Sequence, residues 1–248
     1  SGPSFRKSRG TMSEIWNLFI SVFINILLWI YNILGNFGIA IILFTVLIKI
    51  VTWPLNAQQM KGATAMQEMQ NDKEWQEIQK KYAKDKEKIA SEQMRIYKER
   101  GINPFASCLP TIIQIPIIFG LYQSIVRALA ASPAQLLALS GGVWSFWGLD
   151  QLIPVNSKFL WMNLGQPERI YMFGVGIPLL AVLVAITTYI QTKITTPPPA
   201  SAKDQSAAMS KMMGIYMPLL LGYFAYSYAS GLAVYFIISN LAGIAQYA

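Results

Sequence analysis

The chain has 248 residues, of which 54% are hydrophobic and only 13% charged, with a net charge of +8. A charged share of roughly half the usual one excludes an ordinary soluble domain and points to a bilayer as the cover for apolar surface. No histidine and one cysteine, Cys108, remove the commonest general base, the commonest metal ligand and any internal disulfide, so metal, triad and redox chemistry are not expected.

Residues 1–14 form a tail in which no cleavable secretory signal is read. The stretch 15–35 is apolar, but Asn17, Ser21, Asn25 and Asn32 share one helical face, with Trp16 and Trp29 near its ends. That pattern predicts an amphipathic helix lying along the membrane interface, and it also fits a span with a polar packing seam. Five further stretches are long enough to cross at about 1.5 Å per residue: 37–57, 105–130, 170–192, 212–228 and 231–248. Main-chain groups in hydrocarbon need partners within their own segment, so these are predicted helices.

Between the first two spans, residues 58–104 hold ten basic residues and eight acids. Interspersed charge among good helix formers predicts a solvated antiparallel helical hairpin, broken near Ala83-Lys84-Asp85 and stopped by Gly101 and Asn103-Pro104. Met66, Met69, Trp75, Ile78 and Tyr82 are expected to face Ala90, Met94 and Tyr97. The loop 131–169 has only Lys158 and Arg169 as basic residues and carries Trp144, Phe146, Trp147, Phe159 and Trp161, as if resting on the outer interface. The segment 193–211, with Pro197-Pro198-Pro199, is a linker. Positive loops stay in the cytosol, which places 58–104 and 193–211 inside, the N-terminus outside and the C-terminus inside. Arg6, Lys7 and Arg9 prefer the opposite, as a sixth span over 15–34 would allow.

The residue with the strongest functional signal is Lys49, within IAIILFTVLIKIVTWPL. A lysine near the bilayer centre costs about 2.5–3.5 kcal/mol on insertion scales. Its long stem can snorkel toward Trp53, or it can face a hydrated cavity with Thr45 and Thr52, which share its face at i−4 and i+3. No intramembrane Asp or Glu stands ready to neutralise it. Gln114, Thr188, Gln191, Tyr235, Ser239 and Asn240 are the other polar groups in the spans, fitting either interhelical hydrogen bonds or a polar groove. Proline at 110, 116, 178 and 218 kinks helices and can splay them. In the hairpin, Lys61, Met66, Met69, Lys80, Lys81 and Lys84 form a candidate partner-binding set, against the simpler reading of packing and solvated charge.

Four blocks of sequence resemble the YidC/Oxa/Alb membrane insertases, in the form of a compact bacterial YidC-type member. They are GNFGIAIILFTVLIKIVTWPLNAQQM, KYAKDKEKIASEQMRIYKERGINPFASCLPTIIQIPIIFGLY, FLWMNLGQPERIY and ASGLAVYFIISNLAGIAQ. The resemblance implies an all-α integral membrane fold, with five spans, an interfacial helix at 15–35 and a cytosolic hairpin. It implies an insertase or chaperone that takes hydrophilic, often acidic, segments of small membrane proteins into a positively charged groove and releases their apolar helices into lipid. The groove cation maps onto Lys49, where the family usually has arginine, and the groove glutamine onto Gln114. Lysine keeps the charge and loses the forked donor geometry. The implied partners are nascent membrane proteins, the ribosome, signal-recognition components, the secretory translocon and the lipid bilayer, with no DNA. No cofactor, no metal and no enzymatic step are expected, and the implied location is a bacterial plasma membrane. Two rival functions fit the same residues: a channel or transporter with Lys49 as an anion or substrate site, and a structural membrane subunit.

Overall fold

A computed structural model describes residues 4–82, 85–102, 109–129, 154–172, 175–195 and 212–247. The expected break at Ala83-Lys84, the stop at Asn103-Pro104, Trp144, Phe146 and Trp147 of the loop, and the triple proline of the linker lie outside these residues.

Helix α1 runs Ser4–Leu34 and α2 runs Phe37–Asn71. Gly35, at φ +66, closes α1 by donating its N–H to the Tyr31 carbonyl at 2.7 Å. Asn36 then caps α2, its side-chain oxygen accepting from the Ile39 N–H at 3.2 Å. Glycine tolerates the left-handed turn and asparagine satisfies an orphan amide, so the two residues make a sharp corner. Helix α2 does not stop at residue 57. It carries Pro54 inside and continues through Gly62 and Thr64 as the first arm of the hairpin, where the good helix formers Gln, Met, Lys, Ala and Glu predominate.

Asp72 ends that helix and starts α3 (Lys73–Lys81), accepting from the Glu74 N–H at 2.9 Å. Asp85 caps α4 (Lys86–Glu99) through the Lys88 N–H at 3.1 Å. The hairpin core is Met69, Trp75, Ile96 and Tyr97, backed by Ile78, Ile89 and Ile102. Of the expected stripe on α4, Tyr97 faces the core and the other two members are corrected. Met94 is 47% exposed and Ala90 is also outside, while Ile89 and Ile96, seven apart, face inward. The β-branched pair offers more apolar area to bury than alanine does, and that choice rotates the helix.

Helix α5 is Leu109–Ala128, α6 is Leu179–Thr195, α7 is Met217–Ser227, entered by a π-helical turn over Met212–Tyr216, and α8 is Ser230–Tyr247. The third apolar stretch is not helical from 170. Residues Ile170–Met172 (β3) pair antiparallel with Val175–Ile177 (β4), and α6 begins only after Pro178. Proline suits a helix's first turn, and the Glu168 side chain caps the start by accepting from the Leu180 N–H at 3.1 Å. Ahead of it, Lys158–Phe159 (β1) pairs with Met162–Asn163 (β2).

Helix α8 is central and packs on α2, α5, α6 and α7. Helices α6 and α7 meet through small residues, Gly222 against Ala181 and Ala185. Helix α1 packs on α2 and α5. Its Trp16 Nε1 donates to Gln123 Oε1 at 3.4 Å, its Phe19 ring lies on Gly120, and its Asn17 accepts from Arg127 at 3.4 Å. Tyr31, one residue row from its other end, takes the Asn156 N–H at 3.3 Å and stacks edge-on with Phe37. Both stretches of α1 thus meet the same end of the bundle. Of its polar row, Asn25 is buried and donates to the Ser21 carbonyl at 2.7 Å, whereas Asn17 and Asn32 are exposed. Ile15, Leu18, Trp29 and Ile33 form an exposed apolar face. By length and composition Ser13–Leu34 and Phe37–Gln58 each suffice to cross a membrane, and Ile112–Ala128, Leu179–Thr195 and Ser230–Gln246 are shorter apolar helices.

Candidate functional site

The two ends of the bundle differ. At the end that carries the β-strands, the loop end, residues 163–166 cap α8. The Ser230 N–H donates to the Gln166 carbonyl at 2.8 Å, the Gly231 N–H to the Leu164 carbonyl at 3.0 Å, and Ser230 Oγ to the Asn163 carbonyl at 2.8 Å. These bonds satisfy amides that a helix start otherwise leaves orphaned. Gly231 sits so close that a Cβ would lie 3.1 Å from Ile125, 3.2 Å from Ile41 and 3.3 Å from the Leu164 carbonyl. The Phe159 ring lies directly on Gly38.

Toward the hairpin end the packing loosens. On α2, Phe37, Ala40, Ile41, Phe44 and Thr45 are buried, and nothing from Val46 to Gln58 is. On α5 the buried positions begin at Gly120, and none occurs from Ile112 to Phe119. On α6 they end at Thr188. Three helices around α8 therefore share one pattern, a dry loop-end half and an open hairpin-end half.

The polar residues line this transition. Thr45 is fully buried and donates its hydroxyl to the Ile41 carbonyl at 2.6 Å, and Thr52 donates likewise to Ile48 at 2.9 Å. Lys49 lies between them on the same face and is half-buried. The ion pairs among the described residues all belong to the hairpin, where Arg95 meets Glu74, Glu92 and Glu99 and Arg100 meets Asp72 and Glu74. Lys49 has no carboxylate partner among the described residues. Gln114 Nε2 donates to the Tyr235 hydroxyl, tying α5 to α8. Asn240 Nδ2 donates to Thr188 Oγ1 at 2.8 Å and Thr187 Oγ1 at 3.0 Å, tying α8 to α6. Gln191 lies across Gly243, and Ser239 is buried one turn below Tyr235.

The structure thus brings Gln114 to Tyr235, Thr188 to Asn240 and Gln191 onto α8, with Lys49, Thr45 and Thr52 on the facing helix. It does not gather the hairpin set. Lys61, Lys80 and Lys81 are exposed, Met69 is in the hairpin core, Met66 lies in α2, and Lys84 is outside the described residues. Lys81 Nζ is 5.4 Å from the Tyr82 ring centre, a solvated cation–π contact. Two polar residues at the mouth escaped the reading of the sequence. Asn56 Nδ2 donates to Gln246 Oε1 at 3.5 Å, joining α2 to the last turn of α8. The signal was present, since Asn56 stands seven residues beyond Lys49 and four beyond Thr52.

This arrangement of helices has known relatives. Residues 29–248 match the 60Kd inner membrane protein family. Membrane protein insertase YidC 2 of Bacillus anthracis is 32% identical over 98% of this chain and 82% of its own length. Membrane protein insertase YidC of Fusobacterium nucleatum is 32% identical over 95% of this chain and 96% of its own. The chain belongs to the YidC/Oxa/Alb family. It is accordingly a membrane protein. Some family members are far longer: the chain spans 34% of the Chlorobaculum parvum insertase YidC, at 35% identity. A solved structure described as an active YidC insertase crystal structure with the first transmembrane domain resolved shares the fold, with a TM-score of 0.55 and 24% identity over 89% of this chain and 44% of that one.

Proposed function

We propose that the chain is a membrane protein insertase, in which a half-deep polar groove lowers the barrier for hydrophilic segments entering the bilayer. The observation that carries this is the asymmetry of the bundle: closed by a plug at the loop end, open toward the hairpin end, with Lys49 half-buried and unpaired among the described residues at the transition. The names of the family relatives support it.

In this reading α2, α5, α6, the segment ending in α7, and α8 are five spans, and α1 lies along the outer interface. The contacts of α1 support that placement, because both stretches of it meet the loop end rather than running down to the hairpin. The ten basic residues of 58–104 put the hairpin in the cytosol. The membrane is then a bacterial plasma membrane with the N-terminus outside and the C-terminus inside.

The mechanism needs no cofactor. A polar group crossing hydrocarbon without a partner costs several kcal/mol. A groove hydrated to half depth shortens the dry path. Lys49 attracts a carboxylate, and the field acts over a longer range than in water because the surroundings are poorly polarisable. The substrate's apolar helix then leaves between the loosely packed hairpin-end halves of the spans, and apolar burial in lipid favours release. The Gln114–Tyr235 and Asn240–Thr188 bonds hold the groove walls without spending charge.

The test is insertion of a small single-span protein with an acidic tail into proteoliposomes, read as a protease-protected fragment. Lys49→Glu is expected to lower the insertion rate at least about tenfold, since it replaces attraction by repulsion. Equal insertion by wild type and Lys49→Glu sinks the electrostatic mechanism. Absence of insertion by wild type sinks the function.

A further inference from the structure

We propose that the carboxamides of Asn56 and Gln246 form a second substrate contact at the hairpin-end mouth of the groove, which binds the peptide backbone of an extended segment whatever its side chains. The inference rests on the insertase reading and adds to it a site that recognises a different chemical group.

The polar row on α2 does not end at Thr52. Thr45, Lys49, Thr52 and Asn56 are spaced by four, three and four residues and so share one helical face. On α8, Tyr235, Ser239 and Gln246 share a face in the same way. The two helices pack on each other, and the two rows meet at the Asn56–Gln246 bond. That bond is 3.5 Å long, at the outer limit for an amide, so parting the helix ends there forfeits little. Gln246 Nε2 is buried and has no hydrogen-bond partner among the described residues, and no other described side-chain nitrogen or oxygen is in that state. A buried donor left open is unusual in a folded protein and asks for an acceptor that arrives from elsewhere.

A carboxamide carries the same donor and acceptor as a peptide unit. Asn56 and Gln246 therefore match a main-chain amide and are indifferent to residue type. Asn56 lies about 10 Å along α2 from Lys49 at 1.5 Å per residue. An extended chain advances about 3.3 Å per residue. The carboxylate held by Lys49 thus sits about three residues ahead of the peptide unit held at the mouth.

The division of labour is testable with the full chain in proteoliposomes and two single-span substrates, one with an acidic tail and one with its tail acids replaced by Asn and Gln. Lys49→Gln should slow the acidic substrate alone. Gln246→Met, similar in volume and without the donor, should slow both by the same factor, about fivefold for one ordinary hydrogen bond. Its thermal midpoint in detergent should be unchanged or higher, because an unsatisfied buried donor is gone. In a Cys108→Ser background and with an added thiol oxidant, Gln246→Cys should trap a substrate cysteine by disulfide formation most strongly about three residues from the acid that Lys49 requires. A Gln246→Met protein that inserts both substrates at the wild-type rate, or that slows only the acidic one, overturns the proposal, as does trapping with no positional maximum. Wild-type vesicles that insert neither substrate overturn the insertase reading instead.

Discussion

The loop-end and hairpin-end halves of the bundle are built from the same helices and obey different rules. The loop-end half is assembled as a soluble core is: Phe37, Ile41, Phe44, Leu121, Ile125 and Val184 are buried together, glycines admit aromatic rings, and helix starts are capped by loop carbonyls. Residues 46–58 of α2, 112–119 of α5 and 189–195 of α6 have no buried positions, and the polar groups there either tie helices in pairs or stand open. In the proposed reading one end supplies the stability and the other the function, the loop-end packing holding the helices in register around an open hairpin end.

If that division is right, substitutions at the two ends should separate stability from activity. The largest effect on folding is expected at the plug. Gly231→Val sets a branched side chain against Ile125, Ile41 and the Leu164 carbonyl, neighbours that cannot yield, and should destabilise by about 1–3 kcal/mol, read as a lowered unfolding midpoint in detergent. A midpoint unchanged from wild type breaks the comparison from the loop-end side.

Lys49→Met probes the other end. It removes an unpaired cation from a half-buried position, so the thermal midpoint should hold or rise while insertion of an acidic-tailed substrate falls severalfold. Loss of stability with unaltered insertion makes Lys49 a structural residue. Between the two halves, Tyr235→Phe and Gln114→Leu each remove one partner of the α5–α8 bond. Each should cost about 0.6–1.7 kcal/mol, and the double variant should cost less than their sum, since both delete the same bond. Strict additivity means the bond contributes nothing.

The smallest effect concerns the hairpin, which lies outside both halves. The Asp72 carboxyl is held below the usual carboxylate range, first by the Glu74 backbone N–H and then by the Arg100 guanidinium. A depressed folded-state value stabilises the ionised form. That contribution is present above the unfolded value of about 3.9 and is lost as pH falls through the folded one. Amide exchange at Lys73–Ile78 should therefore be flat between about pH 7 and 5 after correction for intrinsic rates, and accelerate below about pH 4. Because the group is exposed and its ion pair solvated, the change should be slight, and the groove should not feel it.

The pattern of apolar and polar residues in the sequence determined a good deal. Lys49 with Thr45 and Thr52 on one face, the hairpin after the first span, the glycine stop at Gly101 and the polar identity of Gln114, Tyr235 and Asn240 all follow from spacing, which a helix converts directly into faces. The blocks that resemble the family named its members correctly. Other features needed the folded chain. That α2 runs unbroken past Gly62 and Thr64 into the hairpin has no local signature, and that 170–177 is a β-hairpin depends on antiparallel pairing that hydropathy does not report. The inward turn of Asn25 was hidden because a polar row reads the same whether it meets water or a neighbouring helix. Lys49 was recognisable as a charge in an apolar segment from its neighbours alone. That it stands where the bundle opens, with Asn56 and Gln246 meeting seven residues further on, was decided by the packing of α2 on α8. A contact between residues 190 positions apart leaves no local trace in a chain that is read one helix at a time.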